Sequence, residues 1–237
     1  GAELSARLGA DDQRAKLAAG ARQGDPAKAN DLVWHLFAVG PTRDLTRLPA
    51  AVRGLLRPRA ELIVAASKEG AELDAILSRA GSFPLGEVLA AEAALGRALG
   101  QNAAGEGLLE RVVPALGRLF GADPGRDADP LASALGFLRR GLVALALPRA
   151  LGRRPLAIRD LEAALGVVLG SPGHLHPAAH ARIEANARLA LGRTLLEHGR
   201  PAEARAQLAR AMAIDPSGPI GRTAESLEML AESGPTR

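Results

Sequence analysis

Apolar positions along this chain recur three and four residues apart, and the runs of that period are cut at short intervals by Gly and Pro. Residues 190–216, ALGRTLLEHGRPAEARAQLARAMAIDP, show the form: two Ala-rich segments of helical period flank a single Gly-Arg-Pro break. Earlier, Gly24-Asp25-Pro26 stops a first amphipathic segment and supplies Asp25 as an N-cap, with Pro26 in the first turn of the next helix. That helix carries NDLVWHLFAV and breaks at Gly40-Pro41. Pro58, Pro84, Pro130, Pro155, Pro177, Pro201 and Pro219 each fall at or near a helix start. The punctuation predicts about ten or eleven antiparallel helices. Residues 121–130, GADPGRDADP, form the loosest joint, and no linker is long enough to divide the chain, so residues 1–237 are expected to form a single helical domain.

Composition sharpens this into a fold class. Apolar residues make up 47% of the chain but aromatic ones only 2%, so Ala, Leu and Val must build the core. Strand formers are scarce and helix formers abundant. The expectation is an all-α protein, an irregular array of antiparallel helix pairs arranged as an α-solenoid or a compact bundle.

Self-similarity gives the array a grammar. Within residues 185–218, Leu191-Gly192 is followed by Leu195, Gly199, Glu203-Ala204, Leu208, Ala211 and Asp215-Pro216. Gly192 and Ala204 would let the two helices approach closely, Ala211 would do the same toward a next unit, and Pro216 would end the second helix. At these spacings the segment resembles a tetratricopeptide repeat (TPR), and Pro219–Glu232 would be a helix closing its open edge. Residues 94–124 repeat the Ala-Leu-Gly-Arg opening and the Asp-Pro ending, with a four-residue insertion and Leu108 at the position of the second-helix Ala. Residues 152–166 repeat the second half, with Gly152 and Ala157 spaced as Gly199 and Ala204 are, and Leu161 and Ala164 in register. There the first helix departs from the pattern, with Pro148 where a large residue belongs.

Charge and chemistry exclude more than they assign. The formal net charge is +4, and all but Lys16, Lys28 and Lys68 of the 30 basic residues are Arg, spread among 26 carboxylates. The densest group, Arg149, Arg153, Arg154 and Arg159, lies around a turn without aromatic platforms, so it reads as solvated surface and no nucleic-acid partner is expected. Cysteine is absent, which removes disulfides and thiolate chemistry. The most apolar run is cut by Pro148, so no membrane-spanning helix is expected. The chain opens on Gly1-Ala2, as a mature exported protein or a trimmed lipoprotein would, and as a cytoplasmic fragment would equally.

Nucleophile elbows, phosphate loops and zinc-protease signatures are missing, and carboxylates such as Glu92, Glu110 and Glu162 stand singly on helix faces, so no enzymatic activity and no cofactor are expected. His174, His176, His180 and Glu184 form the one ligand-rich cluster: a helix starting at Pro177 puts His180 and Glu184 on one face. Exposed loop and helix residues account for the same cluster, and no metal is assigned to it.

The resemblance implies a binding function. In that family the first helix of a unit lines a groove that takes a partner segment, and the matching positions here are Asn186, Leu189, Arg193, Leu196 and Glu197. Asn186 would bond a partner backbone and Arg193 a carboxylate. The expectation is a non-catalytic binding protein with a protein or peptide partner, such as a transporter component, in an accessory role in a bacterial envelope assembly or transport system. The localisation implied is periplasmic or membrane-anchored, with the cytoplasm as alternative. The second reading is an envelope carrier holding an apolar small molecule such as a lipid between helices. Trp34 and Phe37 would suit its wall, although such a pair at helical spacing is also ordinary core.

Overall fold

A computed structural model of the chain describes residues 2–39, 47–56, 60, 64, 84–100, 108–171 and 177–232. The described helices are α1 (Ala2–Arg22), α2 (Pro26–Val39), α3 (Ala50–Arg53), α4 (Pro84–Gly100), α5 (Leu108–Gly121), α6 (Pro130–Ala146), α7 (Arg154–Gly170), α8 (Pro177–Glu197), α9 (Pro201–Ile214) and α10 (Pro219–Glu232). Short 3-10 turns at Pro124–Arg126 and Arg149–Leu151 bracket α6. Strands are absent among the described residues, and the fold is all-α.

Proline and aspartate set the helix starts. Pro26, Pro84, Pro130, Pro177, Pro201 and Pro219 each open a helix and Pro155 is second in α7, positions where a missing N–H costs nothing. Asp25 caps α2 by accepting from the Ala27 and Lys28 amides at 2.9 and 3.2 Å, and Asp129 caps α6 through Leu131 N at 2.9 Å. Pro114 is the exception, lying inside α5. Gly40, Pro41 and Pro58 lie outside the described residues.

Packing follows helix pairs: α1 on α2, α4 on α5, α6 on α7 and α9 on α10. Each of the first three pairs, and α8 with α9, repeats one arrangement on its second helix. A small or medium residue is followed four positions later by a larger one and seven positions later by a third, all buried: Ala29, Val33 and Leu36 on α2; Ala115, Leu119 and Ala122 on or just beyond α5; Ala157, Leu161 and Ala164 on α7; Ala204, Leu208 and Ala211 on α9. Positions i, i+4 and i+7 share one helix face, so each triad is the stripe that docks on the preceding helix. In three of the four pairs a glycine in the left-handed region stands five residues before the triad: Gly24, Gly152 and Gly199, with φ of +88°, +62° and +70°. A side chain there would be strained, so glycine is what lets these turns close. The expected second-helix position at Leu108 is thus displaced; the buried small residue of α5 is Ala115.

The first helix of each later pair meets this stripe through glycine. A Cβ added to Gly192 on α8 would lie 2.8 Å from both Cγ and Cδ2 of Leu208 and 3.3 Å from the Ala204 carbonyl oxygen. Gly141 on α6 faces Leu161 and Ala157 in the same way, at 3.2 Å from Leu161 Cγ and 3.4 Å from the Ala157 carbonyl oxygen. One residue before Gly141, however, the apolar Leu191 of the α8 sequence is replaced by Arg140. Arg140 is buried and forks onto Asp160 of α7, with Nε to Oδ2 and Nη2 to Oδ1 both at 2.7 Å. The guanidinium also lies 5.7 Å from the ring centre of Phe137.

The chain divides into two compact units. The first contains α1 to α5 and the opening turn of α8; among its buried residues are Val33, Leu36, Val52, Leu85, Val88 and Leu119. The second contains α6, α7, the remainder of α8, α9 and α10, and holds the Arg140–Asp160 pair within its core. At its C-terminal end, Leu208, Ala211 and Ala224 form a cluster flanked by Leu189, Leu196, Met212, Ile220 and Leu227. The turn between α9 and α10 is fixed by Asp215, whose carboxylate accepts from Ile220 N at 3.0 Å.

Candidate functional site

α8 runs for 21 residues, and positions 186, 189 and 193 fall on one side of it because spacings of three and four return to the same face. Within the second unit that side opens onto a cleft of about 460 Å³. Leu142, Leu145 and Ala146 of α6, Arg154 at the start of α7, and Thr223 and Leu227 of α10 line it. From α8 come Asn186, Leu189, Ala190, Arg193 and Thr194. The volume lies in the range of sites that bury a small ligand or a few residues of a peptide.

Its chemistry is divided. Six of the lining residues are aliphatic, and none of the others is acidic. Asn186 Nδ2 donates to the Arg182 carbonyl at 2.8 Å, which fixes the amide and leaves its carbonyl oxygen as an acceptor. Thr194 Oγ1 donates to Ala190 O at 2.7 Å and Thr223 Oγ1 to Pro219 O at 2.8 Å, so both hydroxyls spend their hydrogens within their own helices. The charged donors among the lining residues are the Arg154 and Arg193 guanidiniums, beside the second Asn186 Nδ2 hydrogen.

Those guanidiniums converge on one carboxylate. Glu197 Oε2 lies 3.3 Å from Arg149 Nη2 and 3.3 Å from Arg154 Nη1, and Oε1 lies 3.4 Å from Arg193 Nε. Arg149 and Arg193 are 72% and 70% exposed, whereas Arg154 is 20% exposed and its Nε is buried without a hydrogen-bond partner among the described residues. Three cations thus share one anion, and two of them, Arg154 and Arg193, line a cleft that no acidic residue lines.

Of the residues expected from sequence, Asn186, Leu189 and Arg193 line the cleft together. Glu197 contacts two of its lining residues, Arg154 and Arg193, and Leu196 packs on the Leu208–Ala211–Ala224 cluster. Trp34 is half-buried on α2 in the first unit and is not among the lining residues; the Phe37 side chain lies outside the described residues. The residues missed are Ala190 and Thr194 on α8 itself, and Leu142, Leu145, Ala146, Arg149, Arg154, Thr223 and Leu227 from four other segments. The dense arginine group of residues 149–159 was the available signal, because it contains no carboxylate and the next residue, Asp160, is committed to Arg140.

The histidine cluster is only partly described. His180 Nδ1 and Glu184 Oε2 lie on one face, 3.8 Å apart, while His174 and His176 lie outside the described residues. Glu184 is held by Arg188 Nε at 2.8 Å, and Arg188 Nη1 donates to Gln207 at 2.9 Å, a polar tie between α8 and α9. Among the described residues no group of three or more such side chains converges on a point that would hold a metal ion. Nearby, burial lowers the Arg182 pKa, with the charge of Asp215 opposing the shift. Among the described residues no helix is long and apolar enough to cross a membrane.

Comparison of the chain with protein families, curated proteins and solved structures finds no match.

Proposed function

We propose that this chain is a non-catalytic, TPR-like helical-repeat binding protein whose cleft in the second unit takes an extended segment of a partner protein. The observation that carries the reading is the cleft itself: a largely aliphatic trough lined by the first helices of two successive pairs, α6 and α8, with Arg154 and Arg193 among its lining residues. Aliphatic walls suit apolar side chains, the Asn186 carbonyl suits a backbone N–H, and the arginines select for negative charge. The recurrent buried triads, with left-handed glycines before three of them, support the repeat assignment independently of the cleft.

A peptide-display selection on the folded chain tests this. Enriched peptides should combine aliphatic and acidic residues and should lose at least about tenfold in affinity against a Leu142→Glu variant, since charge would enter the apolar wall. Selection of no peptide family, or of peptides indifferent to Leu142→Glu, would sink the proposal.

The six aliphatic lining residues favour a second reading, a carrier of an apolar small molecule. Native mass spectrometry of protein from its source cells separates the two: a stoichiometric co-purifying lipid supports the carrier, and a retained protein partner supports the scaffold.

A further inference from the structure

Glu197 is a carboxylate of the chain itself that contacts both arginines lining the cleft. Arg149, Arg154 and Arg193 reach it from three different segments, the 3-10 turn, the start of α7 and the face of α8. A well-fitted guanidinium–carboxylate contact has N···O of roughly 2.7–2.9 Å. The fork of Arg140 on Asp160 reaches 2.7 Å twice, but all three contacts to Glu197 are 3.3 or 3.4 Å. Glu197 therefore satisfies none of its three partners well, and Arg154 keeps a buried Nε with no acceptor beside it. Three guanidiniums against one carboxylate leave two positive charges in excess, with Arg154 and Arg193 lining a largely aliphatic trough.

We propose that this part of the cleft is a receptor for a carboxylate carried by an apolar segment of the partner, and that Glu197 is a built-in competitor which holds the arginines until that carboxylate displaces it. The inference rests on the partner-binding reading of the cleft. It adds the charge of the partner and the residue that sets the threshold for binding. A carboxylate entering the trough meets Arg154 and Arg193, the two cations among its lining residues. It must share them with Glu197, whose like charge opposes it. The competitor discriminates, because apolar segments without an anion gain nothing from displacing it and segments with one must supply better geometry than Glu197 does.

Octanoate, an aliphatic chain ending in a carboxylate, is the minimal probe, with octanol as its neutral counterpart and octyl phosphate as the alternative anion. Each is titrated into the full chain and into the Glu197→Gln and Arg193→Gln variants, with arginine Nε–Hε and α8 amide resonances as the readout. Octanoate should shift the Arg154 and Arg193 signals. Its affinity should rise by roughly tenfold in Glu197→Gln, where a like charge is removed within a few ångströms, and fall several-fold in Arg193→Gln. Octanol should be indifferent to both changes. Arg193 is largely exposed, so Arg193→Gln keeps the test usable even where Glu197→Gln perturbs folding. Equal octanoate affinity in the wild type and Glu197→Gln overturns the competitor role, and preference for octyl phosphate overturns the carboxylate assignment. Octanol binding as tightly as octanoate overturns the charge selection while leaving the apolar cleft standing. If no probe perturbs the cleft, the inference fails here, whereas the partner-binding reading fails only when the peptide selection is also empty.

Discussion

Gly192 faces Leu208 across the α8–α9 pair so closely that an added methyl would meet two carbons of the leucine at 2.8 Å. Leu208 is fully buried and has the Ala204 and Ala211 faces of its own helix on either side, so it has little room to withdraw. Gly192→Ala is expected to destabilise the chain by about 1–3 kcal/mol, the cost of overpacking a filled core. Gly96 on α4 has open space at the same point, and Gly96→Ala should stabilise by about 0.5–1 kcal/mol through helix propensity alone. Urea-unfolding midpoints of the two variants should move in opposite directions; a shift of the same sign in both would contradict the close approach.

Arg140 and Asp160 are buried together, 8% and 1% exposed. Removing one partner strands the other's charge in the core. Asp160→Leu alone should therefore cost about 3–5 kcal/mol, whereas the double change Arg140→Met with Asp160→Leu should recover most of that loss. A double-mutant cycle by chemical denaturation measures the coupling. Additive losses would show that the pair is not energetically linked.

The Arg200 guanidinium holds the Glu203 carboxyl below the usual carboxylate range through its hydrogen bonds, and its own pKa is raised in return. Both side chains are at the solvent-exposed start of α9. A depressed carboxyl pKa contributes stability that is present above its unfolded value and is lost as pH falls through its folded value. Arg200→Ala should raise the Glu203 midpoint in a carboxyl ¹³C titration, and its destabilising effect should vanish in acid. An unchanged midpoint would mean the contact does not persist in water.

The helix starts were legible because proline and aspartate act locally: Asp25-Pro26 and Asp129-Pro130 need no tertiary context to cap and open a helix. The α8–α9 pair was legible because its glycine, alanine and leucine sit at the spacings that carry the resemblance to a tetratricopeptide repeat. The α1–α2 pair has the same glycine and buried alanine, Gly24 and Ala29, but Val33 in place of leucine and Lys16-Leu17 in the register where α8 has Leu191-Gly192, so its likeness to α8–α9 shows only in burial and in the turn. The first helix of the α6–α7 pair was unreadable for a sharper reason. Arg140 breaks the apolar pattern, and it is buried because Asp160, 20 residues on, neutralises it. Half of the cleft escaped notice likewise: the face of α8 could be read from one helix, but the lining from α6 and α10 depends on how separate segments pack.

The α6–α7 and α8–α9 pairs keep the same glycine-on-leucine contact although their connections differ, residues 147–153 in one and 198–200 in the other. The hairpin core is thus indifferent to the length of its own hinge. The longer hinge bears Arg149 and leads directly into Arg154, which makes it an exchangeable cassette: transplanting or resizing those seven residues offers a way to rewrite selectivity while the scaffold beneath keeps its register.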